Sequence, residues 1–114
     1  MTWELIFFCM SATGIAAGCL MPAAWLPRLP NDKLLHFLAF GGLTLIACRI
    51  SPDWQHMQYW LLGLLVAGWG VEVLQNLVPG RKFCWRDMAA NAAGIAIAAL
   101  CSLLIRNYGW GIVA

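Results

Sequence analysis

Four apolar runs, at about residues 5–26, 33–50, 59–78 and 88–105, take up most of this 114-residue chain. Each is close to the ~20 apolar residues that a helix needs to cross a bilayer. Inside lipid the backbone must satisfy its own hydrogen bonds, so such runs fold as helices. Charged residues make up 11% of the chain, under half the ~25% typical of soluble domains. The mean hydropathy of +0.75 agrees. The expected fold is all-α, a single domain over residues 1–114 built as a four-transmembrane-helix bundle. Four spans place both ends on one side. The net charge of +2 and the lack of an arginine-rich or zinc pattern argue against a nucleic-acid partner.

Cys9, Cys19, Cys48, Cys84 and Cys101 are odd in number and form no C-x-x-C. Four lie in apolar runs, where cysteine acts as a small hydrophobe. No disulfide framework or zinc site is expected. The first run lacks the leading positive charge of a signal peptide, and it is read as an uncleaved helix. It contains Gly14-x-x-x-Gly18, a spacing that lets helix backbones approach. Pro22 is expected to kink it.

Pro27-Arg28-Leu29-Pro30-Asn31 makes a tight connector, and Asn31 or Asp32 can cap the second helix. Arg49 closes that helix and can snorkel to the interface. Ser51 to Gln58 reads as a loop. Pro79-Gly80 stops the third helix, because proline lacks an N–H and glycine tolerates the turn. A basic stretch, Arg81-Lys82-Phe83-Cys84-Trp85-Arg86, follows, and Asp87 is expected to cap the fourth helix. Ala90, Gly94 and Ala98 form a smooth stripe for a neighbouring helix. Arg106 and a Gly/Trp-rich tail close the chain. Most of the seven tryptophans flank the runs, as an aromatic belt does. Trp69, in mid-helix, is read as a packing residue.

Three polar clusters interrupt this oil. In sequence order, helix two starts, helix three ends and helix four starts at the same membrane face. Asp32 and His36 are neighbours on one helix face, as are Asp87 and Asn91. At 1.5 Å per residue, His36 and Asn91 lie ~6 Å past their helix starts and Glu72 ~10 Å before Pro79. A polar cluster at one membrane interface is therefore expected. Asp32, Lys33, His36, Glu72, Gln75, Arg81, Asp87 and Asn91 are its candidate ligand-binding residues, and Asn76 can join Gln75 at the rim.

Glu72 is the one acid well inside a run, and in low dielectric a lone carboxylate must be protonated or paired. Lys33, His36 and Arg81 are its available partners. The cluster is either a network that ties three helices together or a ligand or catalytic site. His36 can act as proton acceptor or donor with Glu72 or Asp32 beside it. His36, Glu72 and Asp87 are the catalytic candidates, although no nucleophile motif accompanies them. The same three could ligate a metal, but paired-histidine spacing is lacking, and neither a metal nor a cofactor is expected. Arg81, Lys82 and Arg86 are either a solvated basic loop or an anion site, since arginine takes phosphate in bidentate fashion. In a membrane that anion is a lipid phosphate or pyrophosphate.

Asp32-Lys33-x-x-His36-Phe37, Phe40-Gly41, Glu72-x-x-Gln75, Pro79-Gly80-Arg81, Asp87-x-x-x-Asn91 and Gly94 together resemble the signature of the VanZ-like family. The resemblance covers Asp32 to Gly94, and the bulky Phe83 and Trp85 are a departure within it. It implies a small multi-pass protein of the bacterial inner (cytoplasmic) membrane. The family's founding member is associated with low-level resistance to teicoplanin, an antibiotic that acts on cell-wall precursors. It also implies that the signature face lies outside the cytoplasm. The positive-inside count gives the opposite, since Arg28, Lys33, Arg81, Lys82 and Arg86 lie at that face, against Arg49 and Arg106 at the other.

The leading expectation is a binding or accessory protein for an anionic lipid or envelope precursor, such as a polyprenyl-phosphate lipid. Arg81, Lys33 and Lys82 would hold the anion, with Glu72 and Asp87 positioning those cations. An intramembrane enzyme using His36 and Glu72 and a structural scaffold are the alternatives. Transport suits four short helices poorly unless copies assemble into a homo-oligomer.

Overall fold

The computed structural model describes residues 2–22, 24, 32–80 and 82–108. Among these residues it contains four helices: α1 (Thr2–Leu20), α2 (Asp32–Ile50), α3 (Trp54–Gln75) and α4 (Trp85–Tyr108). All four are long and apolar enough to cross a membrane. A 19-residue helix rises ~28 Å, close to the ~30 Å of a bilayer's hydrocarbon core. The Pro27–Asn31 connector, Arg81 and the Gly/Trp-rich tail lie outside the described residues.

The outer surface is oily. Leu38, Leu62, Val66 and Leu100 are exposed in mid-helix, as suits a lipid-facing wall. Trp69 belongs to that wall: it is 52% exposed, so it faces outward rather than packing inside. Trp3, Trp54 and Trp85 stand exposed at or near helix starts, where an aromatic belt meets the headgroups.

Between helices, lipid supplies little hydrophobic drive, so close backbone approach and polar contacts must hold the bundle. α2 and α4 make the most extensive contact. Gly94 permits it: a Cβ added there would run into the Phe37 carbonyl oxygen and stand 3.1 Å from the Gly41 nitrogen. The stripe expected on α4 is thus a real packing face, with Gly94 and Ala98 buried. On α3, Gly68 does similar work, since a Cβ there would come within 3.1 Å of the Phe40 ring. Phe40, Leu43, Ala47, Leu64 and Ile95 form the core between α2, α3 and α4.

α1 leans on the outside of this unit, and none of its span is fully buried. Phe8 meets Trp60 edge-on at 5.0 Å between ring centroids. Glu4 pairs with Arg49 at 3.1 Å, which ties the start of α1 to the end of α2. Arg49 is therefore an interhelical partner as well as an interfacial anchor. Gly14 and Gly18 serve no close crossing here, because an added Cβ at either meets nothing within 4 Å.

The helix ends depart from the sequence reading for local reasons. α1 stops at Leu20 rather than near residue 26. Pro22 lies past its end instead of kinking it, because the residue before a proline avoids helical geometry. α3 starts at Trp54, inside the segment read as a loop. Asp53 is its N-cap, and its carboxylate accepts from the His56 backbone N–H at 2.9 Å. That bond, with a second from the His56 ring, holds the Asp53 carboxyl below the usual carboxylate range. The chain leaves α3 after Gln75, and Gly80 takes φ 78°, a conformation that suits glycine. α4 begins at Trp85, so Asp87 lies in its first turn and is not its cap.

At the opposite membrane face, Arg106 donates to the Cys48 carbonyl and, at 2.5 Å, to the Ser51 carbonyl. It thereby satisfies carbonyls that the end of α2 leaves open.

Candidate functional site

The polar face collects the first turns of α2, the last turn of α3 and the first turns of α4. Each helix contributes there because its polar residues sit near its end, where a charge costs less than at mid-membrane. α2 brings Lys33 and His36, three residues apart and so on one side of the helix. α3 brings Glu72, and α4 brings Asp87 and Asn91.

These five side chains meet. His36 Nδ1 lies 2.9 Å from Asn91 Oδ1. Asn91 Oδ1 is an acceptor, so this contact places the proton on Nδ1 when the ring is neutral; the assignment follows from the placed amide orientation. The other ring nitrogen, Nε2, faces Asp87 Oδ2 at 3.6 Å. Asp87 Oδ1 in turn holds Lys33 Nζ at 2.9 Å. Glu72 Oε1 approaches His36 Nδ1 at 3.8 Å. Glu72 is fully buried and Asn91 almost so, at 0% and 1% exposure. His36 and Asp87 are also buried, whereas the Lys33 side chain is 45% exposed. The cluster is therefore a covered set of two carboxylates, an imidazole and an amide, with one ammonium at its mouth. His36, Glu72 and Asp87 each offer a ligand atom, and these atoms all lie within 4.8 Å of one another.

Two other candidates are placed elsewhere. Gln75 is buried, but its amide donates to the Cys19 carbonyl of α1 at 2.8 Å. It joins α1 to α3. Asn76 accepts from the Phe83 backbone N–H at 2.6 Å, which folds the loop between α3 and α4 instead of adding to the cluster. The Asp32 side chain and the whole of Arg81 lie outside the described residues. Lys82 and Arg86 are exposed on the same side as the cluster mouth.

A cavity of about 520 Å³ that the sequence reading did not anticipate lies between α1, α2 and α3. Its lining is apolar, and it runs from Cys19 and Val71 to Tyr59 and His56. Phe40, one turn below His36, forms part of its wall. The polar cluster does not line this groove; it adjoins one end, where Val71 neighbours Glu72. Small residues such as Ala12, Ala16 and Gly63 leave the space, and no periodic motif announces it.

Four apolar spans and a buried polar cluster at one face define a multi-pass membrane protein. The family model described as VanZ/LLP1 matches residues 4–106. The chain therefore belongs to the VanZ/LLP1 family, as the signature resemblance implied. No curated protein and no solved structure matches it.

Proposed function

We propose that the chain binds an anionic lipid or lipid-linked envelope precursor, with the phosphate at the cluster mouth and an acyl or prenyl chain in the adjoining groove. The observation that carries this reading is Lys33. Its ammonium is tethered 2.9 Å from buried Asp87 while the side chain stays 45% exposed at the cluster mouth. A fixed cation loses less freedom on gripping a phosphate than a wandering one. Exposed Lys82 and Arg86, with Arg81 beside them in the chain, add positive charge at the same face. The groove supplies the apolar half of such a site: from Tyr59 to Val71 it follows α3 for ~18 Å, a length that suits a lipid tail. The face bearing the cluster is taken to lie outside the cytoplasm of a bacterial inner membrane, where a precursor of the cell wall is found. Effects on teicoplanin tolerance would follow from that precursor.

Native mass spectrometry of protein purified in mild detergent tests this. Wild type should carry an anionic lipid, and Lys33→Ala and Arg81→Ala should each retain several-fold less. Equal retention of the same lipids by all three would contradict it.

A second reading rests on a separate observation. His36 stands between two buried carboxylates, 3.6 Å from Asp87 and 3.8 Å from Glu72. An imidazole so placed can take and return a proton in a water-poor site, the requirement of a general base acting on a lipid phosphate. Turnover of such a lipid by wild type, lost in His36→Ala, would favour catalysis over binding.

A further inference from the structure

We propose that His36, Glu72 and Asp87 bind one divalent first-row transition-metal ion, of the zinc or manganese class. The proposal does not depend on lipid binding. Three helices converge to bring one imidazole and two carboxylates together, with a ligand atom of each within 4.8 Å of the others. Tetrahedral ligands ~2.0–2.2 Å from a common ion stand roughly 3.3–3.6 Å apart, so the widest separation in the trio has to close by about 1 Å. The 3.6 Å between His36 Nε2 and Asp87 Oδ2 already falls in that range.

The surroundings are those that metal ligands have. A ligating imidazole donates its other N–H to an oxygen acceptor, which fixes the tautomer and aims the lone pair. His36 does this through Nδ1 to Asn91 Oδ1 at 2.9 Å. A ligating carboxylate is held through its second oxygen, and Asp87 Oδ1 is held by Lys33 at 2.9 Å. Nε2 and Asp87 Oδ2 face each other at 3.6 Å, whereas Glu72 Oε1 approaches the ring at Nδ1, 3.8 Å away, so Glu72 must turn toward Nε2 to share an ion with them.

Electrostatics adds a reason. Glu72 and Asp87, 0% and 6% exposed, face one imidazole, and Lys33 at 2.9 Å offsets part of the charge on Asp87. A dication held by the three ligand atoms would attract both carboxylates further. The rival is a proton on Nε2, giving an imidazolium paired with Asp87. One nitrogen and two hard oxygens suit zinc or manganese, better than soft copper(I) or an all-oxygen calcium site. Three protein ligands leave a coordination position for water or a phosphate oxygen.

The test is metal content. Purified wild type is loaded separately with Zn2+ and Mn2+, desalted and measured by inductively coupled plasma mass spectrometry. About one equivalent of one of the two ions should remain per chain, against a several-fold loss in His36→Gln and Glu72→Gln and none in Arg49→Gln. Because a core variant can fail to fold, Co2+-loaded wild type gives a second readout: visible d–d bands of nitrogen and oxygen ligation that EDTA abolishes. Retention by wild type below about one tenth of an equivalent for both ions, or equal retention by folded variants, would overturn the proposal. So would Co2+ spectra no different from the free ion.

Discussion

His36 Nδ1 lies 2.9 Å from Asn91 Oδ1, 55 positions away in the chain, and this bond joins the first turns of α2 and α4 inside the polar cluster. It sets the direction of the imidazole toward Asp87. Asn91→Ala removes the acceptor and leaves a buried N–H with less help. Interhelical hydrogen bonds in membranes are worth about 1 kcal/mol, so the loss should be of that order. Unfolding in mixed micelles measures it. Asn91→Asp should cost more, since it places a third carboxylate beside Glu72 and Asp87.

Gly94→Ala should be the most damaging small substitution in the chain. The new methyl meets the Phe37 carbonyl and forces α2 and α4 apart. Overpacking of this kind costs about 1–3 kcal/mol. Gly14→Ala meets nothing within 4 Å, and its effect should be neutral or slightly stabilising, because alanine is the better helix former. Thermal unfolding of the two variants side by side checks the contrast.

Asp53 gives the fold a pH dependence with a definite sign. Its carboxyl is held below 3.8 in the folded chain, first by the backbone N–H of His56 and then by that residue's ring. A depressed carboxyl stabilises the fold fully above its unfolded pKa and loses that contribution as pH falls through the lower folded value. The difference in melting temperature between wild type and Asp53→Ala should therefore shrink as the pH falls below about 4. A difference that stayed constant or grew below about pH 4 would refute the capping role.

Cys84 reports the orientation. It lies in the loop between α3 and α4, whereas Cys9, Cys19, Cys48 and Cys101 lie in the spans. If the cluster faces away from the cytoplasm, a membrane-impermeant maleimide should label intact spheroplasts at Cys84, and Cys84→Ala should abolish the label. Labelling only after lysis would reverse the assignment.

Much of the cluster was legible because its residues are rare where they stand. An acid inside an apolar run, a histidine one turn into a helix and a Pro-Gly stop each carry a local signal, and helix order alone puts them at one face. What was not legible depended on direction or on space. Gln75 has the same spacing from Glu72 that a partner in the cluster would have, yet it turns to the Cys19 carbonyl. Asp53 looked like a loop residue because its capping depends on the chain turning at Ser51. The groove was invisible because it is made by small side chains on three helices, none of which is unusual on its own. Arg106 read as a charge at the far surface, but its work is to hold the end of α2.

Binding of a chain-matched lipid pair tests the central idea most directly. Affinities of a short polyprenyl phosphate and of the corresponding uncharged alcohol are compared for wild type and Lys33→Ala, both confirmed as folded by their melting curves. The phosphate should bind wild type at least about tenfold more tightly than the alcohol, a difference of ~1.4 kcal/mol, and most of that preference should vanish in Lys33→Ala. Equal affinity of wild type for phosphate and alcohol, or a preference untouched by the substitution, would contradict a phosphate site at the mouth of the cluster.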